Sequence, residues 1–439
     1  MAKRIVTVAL ALALFLGVGE LLRYVLVDDT GSYTRVMLHE MYTSKQNIDI
    51  VFLGSSHAYR SFVPGVTDEI FGEYSFNGGS SSQCMDGSYA MLREICEYHK
   101  PKRVFLELCH AMSGDNHFKN RKSLTATYIL SDYMRPSLRK AEFLLRASDS
   151  RHYANSFIPA RRNWKKIIDF GYMASVVKKK RTEAYGNYRL PRKEGAKEYY
   201  VERGFAANES AVDDGKRWNK YAAKYPVRIY PNEKSDWYKT LIKIIEYCKS
   251  GGVELTFVVA PLPESSIVGI GNYQVYYDYV KNIADEHGVE FRDFNLCKPA
   301  YFNADDNTFF KDEDHLNAAG AERLSRVMAE YFTGKIQEKD LFYESLRDKL
   351  DAEAPKVFGL AGPVTDPKTK ERKGYVISNR ESGMEYRMEA RTEGGETRLI
   401  QDYDENKYFK LPADERGVLS VSWRVAGEEG SGGTLEAKY

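Results

Sequence analysis

Four consecutive bulky or β-branched residues, Ile50, Val51, Phe52 and Leu53, stop at Gly54 and give way to Ser55, Ser56 and His57. An unbroken apolar run of this length reads as a strand buried on both faces, the pattern of a parallel sheet. The pattern returns in "RVFLEL", in Val253–Val259 ending at "APLP", and in "VEFRDF", and a short strand is expected just ahead of the block Tyr74–Gln83, "YSFNGGSSSQ". Between these runs apolar positions recur at helical spacing. "SDWYKTLIKIIEYCKSGG" reads as a helix opened by Ser235 and closed by Gly251. Leu316 and Asn317 open another, with Leu324, Val327, Met328 and Tyr331 on its packing face. Alternation of strand and helix predicts an α/β fold, a three-layer, doubly wound parallel sheet.

Three stretches depart from that alternation. At the amino terminus, Lys3 and Arg4 precede an apolar run from Ile5 to Leu22 broken only by Glu20, and about 20 such residues span a bilayer. With no small-x-small cleavage site suitably placed, residues 1–27 are expected to be an uncleaved signal anchor whose basic end stays in the cytoplasm. A long insertion, about 112–235, is basic and aromatic over Lys119–Phe205, as in "ARRNWKKIIDFGYM". It reads either as a solvated helical cap or as a surface that holds an anionic polymer while Tyr and Trp stack on sugars. Beyond Lys335, the charged helix "QEKDLFYESLRDKLDAE" leads into short alternating segments, "GYVIS", "YRMEARTE" and "VLSVSWRVAG", which predict a small β-sandwich. The expected domains are thus 1–27, 28–335 and 336–439.

Composition narrows the chemistry. A net charge of +2 argues against a dedicated nucleic-acid binder. No phosphate-binding Gly-rich loop, Cys-x-x-Cys pair or His-Glu-x-x-His motif occurs, so the expected chemistry needs no cofactor and no metal. Cys84, Cys96, Cys109, Cys248 and Cys297 are odd in number and scattered through core-like segments, which is not a disulfide scaffold. An exported protein with unpaired thiols is compatible with a Gram-positive bacterial surface.

Candidate chemistry sits at two places far apart in the chain. Ser55, Ser56 and His57 follow the first strand, and in an open parallel sheet ligands bind at the carboxyl ends of strands. In "FKDEDHLNAAG", Asp312 stands three residues before His315, a spacing that lets a carboxylate orient an imidazole able to take a proton from a serine. Gly78 and Gly79 free the backbone to turn N–H groups toward a site. Glu107, near the end of the third strand, is placed to buttress such a site or to be a satisfied buried carboxylate.

Together, G-S-S at 54–56 and D-E-D-H-L-N-A-A-G at 312–320 resemble the SGNH (GDSL-like) hydrolase and acyltransferase superfamily. The G-S-S-H form, the anchor and the insertion look most like its membrane-tethered cell-envelope branch, the relatives of DltD and of alginate acetylation proteins. The resemblance implies an SGNH-like, flavodoxin-like fold with Ser56 as nucleophile, His315 as base, Asp312 as orienting acid, and Ser56 and Gly79 as oxyanion donors. It departs from the pattern after the third strand, where Cys109, His110 and Ala111 stand in place of Gly-x-Asn-Asp and Asn116 comes several residues late. The implied function is extracytoplasmic, serine-dependent acyl transfer, with O-acetylation of an envelope or secreted polysaccharide as its form. The alternatives are a carbohydrate esterase and a non-catalytic scaffold for a membrane O-acyltransferase. The implied partners are a polysaccharide or cell-wall polymer as acceptor, a multi-pass membrane O-acyltransferase as acyl donor, and the membrane itself through the N-terminal helix.

Overall fold

Ile50–Leu53 forms strand β1, with all four side chains buried, as an unbroken apolar strand between helical layers requires. It pairs in parallel with β2 (Ser75–Asn77) and with β3 (Arg103–Glu107), Val51 standing opposite both Phe76 and Val104. The second strand therefore lies inside the block Tyr74–Gln83 rather than ahead of it. Strands β4 (Glu198–Glu202) and β5 (Phe205–Asn208) form a separate two-stranded sheet. Strands β6 (Glu254–Val259) and β7 (Glu290–Asp293) pair in parallel, Phe257 opposite Phe291. The parallel five-stranded sheet has the order β2-β1-β3-β6-β7. Counting its members alone, that is 2-1-3-4-5, the flavodoxin-like doubly wound order.

These statements come from a computed structural model that describes residues 2–110, 121–212, 231–270, 272–380 and 382–439. The chain divides into two units: Met1–Glu107 with Gly114–Ala207 and Glu233–Leu255, and Leu108–Ser113 with Asn208–Asn232 and Thr256–Tyr439.

In the first unit, helix α1 (Ala2–Leu26) forms over the apolar run, and α2 (Tyr33–Thr43) follows, capped by the Ser32 hydroxyl. The last carbonyl of α1, at Leu26, accepts hydrogen bonds from Asn163 Nδ2 at 2.9 Å and the Tyr172 hydroxyl at 3.1 Å. Among the described residues no helix is long and apolar enough to cross a membrane. Helix α1 nevertheless exposes Val6, Leu10, Leu14 and Leu21, the last three at 66, 70 and 62%. The described part of the insertion contains the helices Arg121–Ser131, Leu138–Arg146 and Phe170–Lys180 and the two-stranded β4–β5 sheet, so it is not helical throughout. The helix Asp236–Gly251 has Ser235 as its cap and ends on Gly252 in the left-handed conformation, one residue beyond the expected stop.

In the second unit, the helix Ala318–Phe332 buries Leu324, Val327 and Met328 as their spacing requires, while Tyr331 is only partly buried. The carboxyl-terminal strands form two antiparallel sheets. One contains β8 (Val357–Thr365), β9 (Arg372–Ser378) and β12 (Tyr408–Leu411). The other contains β10 (Met384–Thr392), β11 (Thr397–Asp404), β13 (Gly417–Val425) and β14 (Gly432–Lys438). Leu360 and Val376 of the first sheet share a core with Met388 and Val421 of the second. The charged segment before them is not one helix. It breaks into Glu338–Leu341 and Leu346–Ala352, because Phe342 bridges to Cys297 and the Ser345 hydroxyl starts a new helix by accepting from Asp348 N–H.

Candidate active site

The turn after β1 depends on a glycine. Gly54 has φ +146, and a Cβ there would lie 2.8 Å from Glu107 Cβ and 3.0 Å from the Glu107 carbonyl oxygen. That close approach lets the chain leave the sheet at once into α3 (Ser56–Ser61). Ser55 caps α3, its hydroxyl accepting from His57 N–H at 3.3 Å, so Ser56 is the first residue of the helix and Ser55 is occupied in holding it. His57 is buried, as is Glu107.

The second glycine block packs directly on α3. A Cβ at Gly79 would meet Ala58 Cβ at 2.9 Å and Tyr59 N at 3.0 Å. Asn77, a residue the sequence did not single out, organises this contact. Its Nδ2 donates to the carbonyls of Ala58 and Phe62, both at 2.9 Å, and its Oδ1 accepts from Gly79 N–H at 3.1 Å. The one available signal was its place directly before the glycine pair, since Asn is a residue that hydrogen-bonds the backbone two positions on. Gly79 N–H, the expected oxyanion donor, is thus directed at an amide oxygen. Beside it lies a cavity of about 200 Å³ whose lining includes Tyr59, Gly79, Tyr33, Met37 and Tyr200. Tyr59 is one helical turn from Ser56, on the same face of α3.

The Asp-x-x-His segment forms a tight local structure. His315 Nδ1 lies 2.8 Å from Asp312 Oδ1, and the same oxygen accepts the N–H groups of Asp314 and His315, both at 2.9 Å. Burial alone would raise the Asp312 carboxyl, but the hydrogen bonds from His315 and Asp314 and the charges of His315 and Lys311 outweigh it and hold the group well below the usual carboxylate range. Engaging Nδ1 in this way leaves Nε2 as the ring's other proton-transfer position.

The residues that follow explain why the motif continues as His-Leu-Asn with a glycine soon after. Asn317 caps the helix Ala318–Phe332 by accepting from Gly320 N–H at 3.0 Å, while its Nδ2 donates to Thr308 O at 2.5 Å and Ser210 O at 3.0 Å. Leu316 bridges to Phe310. A Cβ on Gly320 would fall 2.2 Å from the Phe309 carbonyl oxygen, so only glycine lets the first helical turn sit against the short 3-10 turn Asn307–Phe309.

Ser56 and Gly79 belong to the first unit, where Asn77 ties Ala58 of α3 and the Phe62 carbonyl to Gly79; Asp312 and His315 belong to the second and are brought together by their own turn. After β3, His110 is buried and burial pushes it down to about 4, so it is a neutral imidazole at ordinary pH. Ala111 and Asn116 lie outside the described residues.

Fold and residues define a doubly wound α/β protein with a serine at the turn after its first sheet strand and a buttressed Asp–His pair beyond its last. No family model matches the chain. No curated protein matches it either. Among solved structures it is similar to a candidate platelet activating factor from Streptococcus pneumonia, at 12% identity and a TM-score of 0.32, over 74% of this chain and 98% of that one. A candidate acylhydrolase from Bacteroides fragilis matches at 9% identity and a TM-score of 0.30, over 70% of this chain and 96% of that one. A Cellulomonas fimi endo-beta-1,4-mannanase double mutant matches at 10% identity and a TM-score of 0.17, over 94% and 98%. At such scores these likenesses carry no weight for the activity or the site.

Proposed function

We propose that the protein is a membrane-anchored, extracytoplasmic serine acyltransferase of the SGNH type, which places a short acyl group, acetyl in its simplest form, on a hydroxyl of an envelope polysaccharide. The observation that carries this reading is the grip of Asp312 on His315, a carboxylate held ionised against the one ring nitrogen that must not serve as base. Ser56 supplies the nucleophile, at a turn whose glycine and cap leave it at the start of α3.

On this reading His315 Nε2 removes the Ser56 proton as Oγ attacks the acyl carbonyl, and Asp312 stabilises the imidazolium. The developing oxyanion takes the Ser56 and Gly79 N–H groups, the latter in competition with Asn77 Oδ1. His315 returns the proton to the leaving group, and the acyl-enzyme then passes its acyl group to a sugar hydroxyl by the same steps in reverse. Water as acceptor would make the same site an esterase. The cavity of about 200 Å³ beside Gly79 supports a short acyl chain. Lys3 and Arg4 at the start of α1 and the helix's exposed apolar residues support the anchor. Delivery of the acyl group across the membrane would fall to a multi-pass O-acyltransferase partner.

The decisive experiment offers purified protein a p-nitrophenyl acetate donor with and without an oligosaccharide acceptor. Acetyl transfer to the sugar, lost in Ser56→Ala, is expected. Hydrolysis unchanged by any acceptor would make the protein an esterase, and full activity in Ser56→Ala would remove the proposed nucleophile.

A further inference from the structure

A larger cavity, of about 580 Å³, lies within the first unit and is lined by neither Ser56 nor Gly79. Its walls combine cations with tyrosines. The acids among them are already engaged. Asp29 is buried against Lys180 Nζ at 2.9 Å and accepts the Tyr185 hydroxyl at 3.1 Å. Asp132 takes Arg162, which is not part of the lining, on both oxygens at 2.7 and 2.5 Å. Glu20 is exposed and 3.5 Å from Arg23.

Arg35 and Arg135 are differently placed. Among the described residues neither has a carboxylate within 4.0 Å. The Arg35 guanidinium lies 3.6 Å from the Tyr185 ring centroid and 4.0 Å from that of Tyr188, and donates to the Tyr185 carbonyl at 3.0 Å. Arg135 lies 4.2 Å from the Tyr42 ring. Aromatic faces hold a guanidinium in place without neutralising it and leave N–H donors for a ligand. His39 lies beside them, its ring stacked on Tyr188 at 3.6 Å. Burial, and after it the charges of Arg35 and Arg135, lower that imidazole's affinity for a proton.

Two immobilised, un-neutralised guanidinium groups in a tyrosine-walled cavity match the planar, bidentate way in which arginine binds phosphate oxygens. We propose that this cavity binds a phosphate ester, its oxygens on Arg35 and Arg135 and its organic part against Tyr42 and Tyr188. The phosphate has two available sources. Glu20, Arg23 and Tyr24 of α1 line the same cavity, which suits a lipid headgroup, whereas the volume equally admits a soluble sugar or glycerol phosphate.

Full-length protein in detergent micelles is titrated calorimetrically with glycerol 1-phosphate, with dihexanoyl phosphatidylglycerol, and with glucuronate as a carboxylate of similar charge. Saturable binding of either phosphate is expected, weakened about tenfold or more in Arg35→Gln and in Arg135→Gln, since charge-assisted hydrogen bonds are the strong ones. Preference for the glycerophosphate identifies a soluble ligand, and preference for the short-chain lipid identifies a headgroup. Ser56→Ala is expected to bind as the wild type does, so loss of the acyltransfer reading leaves this result standing. Absence of phosphate binding, glucuronate bound as tightly as phosphate, or affinity unchanged in folded Arg35→Gln and Arg135→Gln proteins would each overturn the proposal.

Discussion

The Nδ1 atom of His315 lies 2.8 Å from Asp312 Oδ1, and two backbone N–H groups converge on the same carboxylate oxygen. An amide at position 312 would keep the shape of this turn but lose its charge. In the proposed reaction Asp312→Asn is expected to lower kcat on p-nitrophenyl acetate by several orders of magnitude, about 10⁴-fold in the serine-protease precedent, through the wrong imidazole tautomer. A thermal midpoint close to that of the wild type, measured in parallel, separates this loss from unfolding.

The same carboxylate has a consequence for stability. Its folded pKa lies below the unfolded value, so its contribution is fully present above the ordinary carboxylate range and lost as pH falls through the depressed folded value. Urea unfolding of wild type and Asp312→Asn is therefore expected to show a stability gap that does not shrink between pH 7 and about pH 5 and closes only in stronger acid. A gap already closing between pH 7 and 5 would contradict the depressed pKa.

Ser55 and Ser56 are adjacent but predicted to fail differently. Ser56→Ala should abolish acyl-enzyme formation, read by mass spectrometry after exposure to the acetyl ester, with little change in melting. Ser55→Ala removes the cap of α3 and is expected to cost about 1 kcal/mol of stability while retaining much of the activity.

Asn77 should behave as a positioning residue. Asn77→Ala deletes three buried hydrogen bonds and leaves the Ala58 and Phe62 carbonyls without this donor, a loss of about 2–4 kcal/mol by the cost of unmade buried bonds. Asn77→Asp keeps the acceptor for Gly79 N–H but not the donors, so it should recover only part of the stability. A fully stable Asn77→Ala protein would show that α3 and the glycine pair are held by other means.

Gly320→Ala pushes a methyl against the Phe309 carbonyl and is expected to destabilise the protein by about 1–3 kcal/mol, the usual cost of overpacking, and to reduce turnover by shifting His315. Chemical denaturation and kcat measured on the same preparation test both parts.

For topology, full-length protein is expected in the membrane fraction, and a reporter fused after Lys335 is expected to be extracytoplasmic. Cytoplasmic labelling of that reporter would overturn the localisation, and release of a shortened soluble form would point to cleavage after α1.

Much of the sheet was legible because a short apolar run stopped by a glycine, as at Ile50–Leu53, reads as a strand covered on both faces, and because serine and asparagine caps at Ser235 and Asn317 mark helix starts through local hydrogen bonds. The Asp-x-x-His turn was legible for the same reason: its partners are three residues apart. That locality also limits what the motif says, since Asp149 and His152 have the same spacing and form the same bond at 2.9 Å in the insertion. Where contacts join distant segments, the chain was silent. The split of the charged segment depends on Phe342 meeting Cys297, and Asn77 matters through carbonyls fifteen and nineteen positions away. The proposed phosphate cavity draws on separate stretches of the chain, with Arg35, Arg135 and Lys180 all in its lining. Local hydrogen bonding and apolar periodicity determine elements and caps within the sequence itself. Which side chains share a cavity, and which charges stay unpaired there, is set by packing between remote segments, and only the tertiary structure decides it.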